Sequence, residues 1–326
     1  MQDRKLAGTP LGWVGTGRMG YGLVSRLLEA GCDVAVYNRT RPKAEPLAEL
    51  GAKIVASPSE LGDREIVFTV VAGSDDFKHV VLGEGGLLSS PDSAPRIIVD
   101  STTVSPEASE EVRRTVAERG VDLLAAPVSG NPKVVAAGLL TFVVSGPQPA
   151  YAEVKPYLEV LGSGATYVGE GERARLAKIC HNLLLGVVSQ SLAEIAVLAE
   201  KGGIARADLL EFINDSVMGS MFTRYKTPAY VKLDYSPTFT PVLLRKDLDL
   251  GFELAREEGV PMPVAAAARE MIQAVISQGH TEEDFARLLD LQAQVSGLDI
   301  APEDAHVSDG LGEIAETVEA ATGPRP

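Results

Sequence analysis

An α/β chain is predicted: a doubly wound parallel sheet in the first part and an all-α second part, the two joined by one long helix. Three observations predict it. Short β-branched runs alternate with amphipathic stretches as far as Val168, and strands spaced by helices require crossover connections, hence a mostly parallel sheet covered on both faces. No strand signal of comparable quality follows Val168. From Glu172 to Lys201 there is no proline and one interior glycine, Gly186, so a single helix of about 30 residues, roughly 45 Å long, fits the segment.

The strands expected are Leu11–Val14, Val34–Tyr37, Lys53–Val55, Ile66–Val71, Ile97–Asp100, Leu123–Ala126 and Leu140–Val144. Ile97-Ile98-Val99 and Val67 to Val71 are apolar on both faces, as buried parallel strands are. Helical patterns lie between them at Met19–Ala30, Pro42–Leu50, Glu107–Arg119 and Ala150–Leu161. Beyond the long helix come Ala207–Asn214, Lys246–Glu258, Val264–Gln278 and Glu282–Leu291. Residues 183–199 are apolar nearly all round, which predicts burial on every side and favours a homodimer or homotetramer. Cys180 is expected to pack in the helix interface. The domains expected are 1–170, which holds the sheet, 171–295, all-helical, and an acidic tail at 296–326, mobile or packed on a partner subunit.

Length and composition bound the function. A chain of 326 residues suggests two domains, and 45% hydrophobic with 23% charged residues excludes overall disorder and a fibrous chain. A net charge of −15 argues against nucleic acid or an anionic membrane surface as partner. A large share of that charge falls in the tail (Asp299, Glu303, Asp304, Asp309, Glu313, Glu316 and Glu319 against Arg325), which leaves room for a local basic pocket. Cys32 and Cys180 make neither a disulfide framework nor a zinc site and fit a reducing cytosol. His79, His181, His280 and His306 are scattered, so no metal site is expected. Met1 to Pro10 lacks the apolar stretch of a signal peptide, and the uncharged run Ile179–Ala193 is short and carries His181, Asn182, Ser189, Gln190 and Ser191. A cytoplasmic protein is expected, with no membrane partner.

The sharpest motif is Gly15-Thr16-Gly17-Arg18-Met19-Gly20, Gly-x-Gly-x-x-Gly between a strand and a helix. Gly15 permits the tight turn, Gly17 lets backbone approach a pyrophosphate, and Gly20 lets the helix sit close on the strand, the dinucleotide-binding pattern of a Rossmann domain. The second strand ends at Tyr37-Asn38-Arg39-Thr40, without the acidic residue that accepts a ribose 2′-hydroxyl. Asn38 does not repel a phosphate and Arg39 can pair with one, while Thr40 and Arg41 add donors, so NADP is favoured over NAD.

Four further segments carry a family resemblance: Asp100-Ser101-Thr102-Thr103-Val104-Ser105-Pro106, Ala126-Pro127-Val128-Ser129-Gly130, Gly169-Glu170-Gly171 with Lys178 and Asn182, and Lys246-Asp247-Leu248. In order and spacing the chain resembles the β-hydroxyacid dehydrogenases, the group of 3-hydroxyisobutyrate dehydrogenase, tartronate semialdehyde reductase and glyoxylate/succinic semialdehyde reductase. The resemblance implies an NAD(P)-dependent oxidoreductase of a small carboxylate-bearing β-hydroxy acid or semialdehyde. It implies Lys178 as catalytic lysine, Ser129 with the Gly130 backbone as the carboxylate-binding turn, and Asn182 as the residue orienting lysine and substrate. It also implies cofactor contacts at Val70, Val71, Asp75, Thr103 and Lys246. The chain departs from the family at Ala125, Asn131 and His181, and Gly130-Asn131-Pro132-Lys133 is expected to reshape the substrate side and add a donor from Asn131.

The residue types agree with that chemistry. Hydride transfer to an aldehyde leaves an alkoxide that must be protonated, and a lysine on a rigid helix supplies the proton and stabilises the charge. Lys178 and Asn182 are four apart and share one helix face, which becomes apolar beyond them. Ser129 follows the end of a predicted strand, the edge at which doubly wound sheets bind ligands. Thr103 or Ser105 can N-cap the helix that Pro106 opens. Lys246 and Asp247 are expected to open a helix, with Asp247 serving its dipole. The competing readings are a non-catalytic NADP(H)-binding sensor or scaffold, which Lys178 disfavours, and an imine reductase-like enzyme on the same fold.

Overall fold

The computed structural model describes Leu6 and residues 9–322; the remaining residues, among them most of the Met1–Pro10 run and Arg325, lie outside the described residues. The described chain forms two compact units, the first running to Lys178 and the second from Ile179 to Val318.

In the first unit, strands β1 (Leu11–Val14), β2 (Val34–Tyr37), β3 (Lys53–Ile54), β4 (Ile66–Thr69), β5 (Ile97–Asp100) and β6 (Asp122–Ala125) form one parallel sheet in the order β3-β2-β1-β4-β5-β6. The order reverses between β1 and β4, the switch point at which such sheets open a crevice for ligands. Alternate residues of each strand enter opposite cores. Leu11, Trp13, Val34, Val36, Ile66, Phe68, Ile97 and Val99 fill one, and Val14, Ala35, Val67 and Ile98 the other. Burial on both faces explains why these strands read as unbroken apolar runs. The helix Gly20–Glu29 buries Gly20, Leu23, Val24 and Leu27, one stripe at helical spacing.

Among the elements of this unit that escape the sequence reading are the helices Ser74–Leu82 and Pro132–Ala136, the 3-10 turn Pro58–Leu61 and two strands of a second sheet. That sheet runs β7 (Val128–Ser129), β8 (Thr141–Val144), β9 (Gly164–Tyr167), antiparallel then parallel. The run expected at Leu140–Val144 thus belongs to it and not to the main sheet. β7 has two residues and β9 has no fully buried residue, so neither carries an apolar signature. The expected Ile66–Val71 strand stops at Thr69.

The helix Arg173–Lys201 matches the long helix expected. Its stretch 183–199 is not buried all round as expected: Leu184 is 62% exposed, Ile195 43% and Leu198 71%. Cys180 is exposed and so does not pack between helices of this chain. By length and mean hydropathy, 1.6, this helix could cross a membrane, but half of that window is buried within the protein. The rest of the second unit is the helices Arg206–Asp215, Met221–Lys232, Pro241–Glu257, Pro263–Ser277 and Leu288–Val295, with a 3-10 turn at Phe285–Arg287, followed by Leu311–Thr322. Met221–Lys232 went unread because Pro228 interrupts its pattern.

Lys226 and Asp284, both about 2% exposed or less, form an ion pair inside this unit. The Lys226 ammonium also lies 4.0 Å from the Phe285 ring centroid. Asp284 accepts from Ala286 N at 2.9 Å, Thr238 N at 2.9 Å and Thr238 Oγ1 at 2.6 Å. The segment after Val295 is a correction: Leu298, Ile300, Ala305 and Val307 pack against the unit's own core. The Glu303 carboxylate accepts from the backbone N–H groups of Arg206 (2.7 Å) and Ala207 (2.9 Å), at a helix start whose preceding residue, Ala205, offers no side-chain cap. A few apolar residues and one carboxylate hold a segment whose charge alone suggested mobility.

Candidate active site

The loop after β1 is shaped by three glycines with different tasks. Gly15 has φ +100°, and a Cβ there would stand 2.1 Å from the Val70 carbonyl oxygen. A Cβ at Gly20 would stand 2.0 Å from the Gly15 oxygen, so both positions are closed to side chains. Gly17 faces open space and is exposed together with Arg18. Thr16 is 3% exposed, and its Oγ1 has no hydrogen-bond partner among the described residues. An unpaired buried hydroxyl costs about 1–3 kcal/mol, and a phosphate oxygen would satisfy it. The open Gly17 and the orphaned Thr16 hydroxyl fit a dinucleotide. Met19 caps the following helix by position and packs partly against the core.

Asn38 is spent on the loop itself. Its Oδ1 accepts from Thr16 N and its Nδ2 donates to the Thr40 carbonyl, both at 2.8 Å. Arg39 reaches across to Asp76 at 2.7 Å with its side chain 76% exposed, a pair worth about 0–1 kcal/mol at the surface and easily exchanged for a phosphate. Val70 N donates to Val14 O at 2.9 Å, Val71 N to Thr102 Oγ1 at 3.0 Å, and Asp75 lies exposed in the first turn of its helix. Thr103 is half-buried, and the N-cap of Pro106–Ala117 is Ser105, accepting from Ala108 N at 3.3 Å. These segments follow β1, β2, β4 and β5 at the carboxyl edge of the sheet.

Ser129 ends β7 opposite Thr141, and the exposed Gly130 after it has φ +142°, where a Cβ would meet Leu140 at 2.7 Å and Val134 at 2.9 Å. Asn131 turns its Oδ1 to Lys133 N (2.9 Å) and Val134 N (3.1 Å), capping Pro132–Ala136, while its buried Nδ2 has no partner among the described residues.

Lys178 is half-buried on the helix Arg173–Lys201. The start of that helix is bound into the first unit by polar contacts the sequence reading missed. Ser145 Oγ donates to Gly171 O at 2.7 Å and accepts from Ala174 N at 3.0 Å. Arg113 donates to Glu172 at 2.6 Å and to Leu123 O at 2.6 Å. Arg175, 3% exposed, donates to Asp100 Oδ2 (2.8 Å), Ser109 Oγ (2.6 Å) and Thr102 O (2.9 Å). Asp100 is fully buried, and its Oδ1 accepts from the hydroxyls of Thr69 (2.6 Å) and Thr102 (2.7 Å). One signal was present: a carboxylate ending a strand apolar on both faces demands a buried cation.

In the second unit Asn182, 2% exposed, donates through Nδ2 to Asp247 Oδ2 at 2.6 Å, and its Oδ1 meets His181 Nδ1 at 2.9 Å. Lys246 and Asp247 do not open a helix as expected, because Thr240 caps it and Pro241 begins it. Asp247 is 2% exposed and holds Asn182 instead of serving a dipole, while Lys246, 43% exposed, lies 3.5 Å from it. No group of side chains suited to a metal occurs among the described residues.

A parallel sheet with a glycine loop at its switch point, a half-buried lysine on a clamped helix and a serine–glycine turn in the same unit define a class, the dinucleotide-dependent oxidoreductases. Residues 10–169 match the NAD-binding domain of 6-phosphogluconate dehydrogenase, and residues 172–292 the NAD-binding domain of NADP-dependent 3-hydroxyisobutyrate dehydrogenase. The chain is 31% identical over 287 residues to glyoxylate/succinic semialdehyde reductase 2 of Arabidopsis thaliana, covering 88% of this chain and 80% of the relative. Among solved structures it is similar to 3-hydroxyisobutyrate dehydrogenase of Salmonella typhimurium, with TM-score 0.77 and 25% identity over 87% of this chain and 99% of that one. It is also similar to Psf3, solved in complex with NADP+ and 2-OPP, with TM-score 0.74 and 26% identity over 86% and 99%. The chain belongs to the β-hydroxyacid dehydrogenase family and is an NAD(P)-dependent oxidoreductase of that family.

Proposed function

We propose that the protein uses NADP to interconvert a small β-hydroxy acid and its semialdehyde, with Lys178 as general acid in reduction and general base in oxidation. A bound nicotinamide supplies or takes up the hydride. Lys178 protonates the oxygen as negative charge develops there, and in its neutral form removes that proton in the reverse direction. Ser129 and the backbone at Gly130 and Asn131 bind the substrate carboxylate. Asn182, fixed by Asp247, orients lysine and substrate. Gly15, Thr16, Gly17, Arg18, Met19 and Gly20 receive the pyrophosphate, Asn38, Arg39 and Thr40 the adenosine end, and Val70, Val71, Asp75, Thr103 and Lys246 the remainder. The reading is carried by one observation: the glycine loop, the Ser129–Gly130 turn and Lys178 all belong to the first unit, with the lysine's helix bonded to the end of β5. NADPH oxidation with a panel of semialdehydes tests it, and no turnover with any of them would refute it.

The cofactor preference rests on Arg39. Arg39→Ala should lower kcat/KM with NADPH about 10- to 100-fold, the loss of a charge-assisted hydrogen bond, and leave kcat/KM with NADH within a factor of about two. Equal losses with both cofactors would contradict it. The proposed division assigns 1–170 to the dinucleotide, 171–295 to substrate and self-association, and 296–326 to an acidic tail. The proposed compartment is the cytoplasm, where the exposed Cys180 thiol stays reduced. Leu184, Ile195 and Leu198 form the exposed apolar stripe that a second copy would cover in a homodimer or homotetramer. Leu198→Glu should then reduce the mass in solution by light scattering; an unchanged mass would move the contact elsewhere.

A further inference from the structure

We infer that Arg175 is the positioning residue of the site: it ties the helix that carries Lys178 and the loop that carries Thr103 to one buried carboxylate, Asp100. The inference rests on the reading of Lys178 given above. Arg175 precedes Lys178 by three residues on the same helix, so a displacement of one carries the other. Its guanidinium is nearly inaccessible, at 2% side-chain exposure, and Asp100 is fully buried. Three directions of its planar fork are taken by three different segments: Asp100 Oδ2 at the end of β5, Thr102 O in the loop beyond, and Ser109 Oγ on the helix Pro106–Ala117. Glu172, just before the helix, accepts from Arg175 Nε at 3.0 Å and from Arg113 Nε at 2.6 Å, which fixes the guanidinium from the turn ahead of it as well.

The same carboxylate organises the opposite side. Asp100 Oδ1 accepts from Thr69 and Thr102, and Thr102 Oγ1 in turn accepts from Val71 N. The loops after β4 and β5, both proposed to touch the cofactor, and the helix bearing the proposed acid are therefore set by one network. Every bond in it lies among residues 69–175. Stability alone does not account for such a network, since a buried ion pair is often no more stabilising than apolar residues of the same volume, although removing one partner is costly. Its geometric value is that an arginine fork fixes direction where a lysine's point charge does not.

The test is a double-mutant cycle on the full chain, with NADPH and a semialdehyde that the wild type reduces. Arg175→Gln should fold, lose about 10²-fold in kcat, the scale of a misplacement of about 1 Å, and keep its KM for NADPH within about threefold, because Asp100 still holds Thr69 and Thr102, and Thr102 still holds Val71 N, without the arginine. In a Lys178→Ala background the same change should cost less than about threefold, because the group it positions is gone. Full additivity of the two losses, or an unchanged kcat, overturns the positioning role and leaves the reading of Lys178 standing. A fully active Lys178→Ala overturns that reading itself. If Arg175→Gln does not fold, Arg175→Lys, which keeps a cation against Asp100 but cannot reach all three acceptors, takes its place in the same cycle with the same criteria.

Discussion

Lys178→Ala is expected to lower kcat/KM for the semialdehyde by about 10²–10⁴, the usual contribution of a positioned proton donor, while binding NADPH as the wild type does. The lysine is half-buried, so its replacement opens no enclosed cavity and the variant should still fold, with the wild-type circular dichroism spectrum. Lys178→Arg should be nearly as inactive in the oxidation direction, because a guanidinium does not give up its proton near neutral pH and cannot act as base. Steady-state rates in both directions, with dinucleotide titration by fluorescence, decide the matter. Retained activity with Lys178→Ala would transfer the proton to another group.

Lys226→Met is expected to produce the largest loss of stability, about 3–5 kcal/mol, because it leaves Asp284 buried without its cation. Burial raises the affinity of Asp284 for a proton, but the Lys226 charge, the hydrogen bonds from Lys226 and Thr238, and the Ala286 N–H outweigh it and hold the carboxyl below its ordinary range. A depressed carboxylate stabilises the fold fully above the ordinary carboxylate range, and that contribution fades as pH falls through it toward the folded-state value. The gap between wild type and Lys226→Met should therefore be widest near neutrality and narrow below about pH 5. Lys226→Met with Asp284→Leu should recover much of the loss, as apolar pairs of similar volume commonly do. Urea unfolding across pH provides the readout, and a loss under about 1 kcal/mol would mean that water or another group takes over the charge.

Much of this was legible in the chain. The switch-point loop is legible because Gly15 and Gly20 answer local steric demands and Gly17 leaves its backbone open, and the strands β1, β2, β4 and β5 are legible because burial on both faces makes their interiors apolar throughout. The long helix followed from the absence of proline between Glu172 and Lys201. Asn182 and Asp247 each stand out in the sequence, but their union does not, since they stand 65 positions apart and only packing brings them together. The expected helix start at Lys246 lies within the helix, which opens five residues earlier at Pro241 behind the cap Thr240. The Glu303 anchor was hidden within a run of charge.

Local chemistry, then, determined by sequence alone the class of fold, the dinucleotide loop and the family, because turn geometry and strand burial depend on neighbouring residues. The tertiary structure alone decided how the proposed acid is held. Arg175 stands 75 positions from Asp100 and 66 from Ser109, and a charge can stay buried only where such distant groups converge to replace the water it has lost.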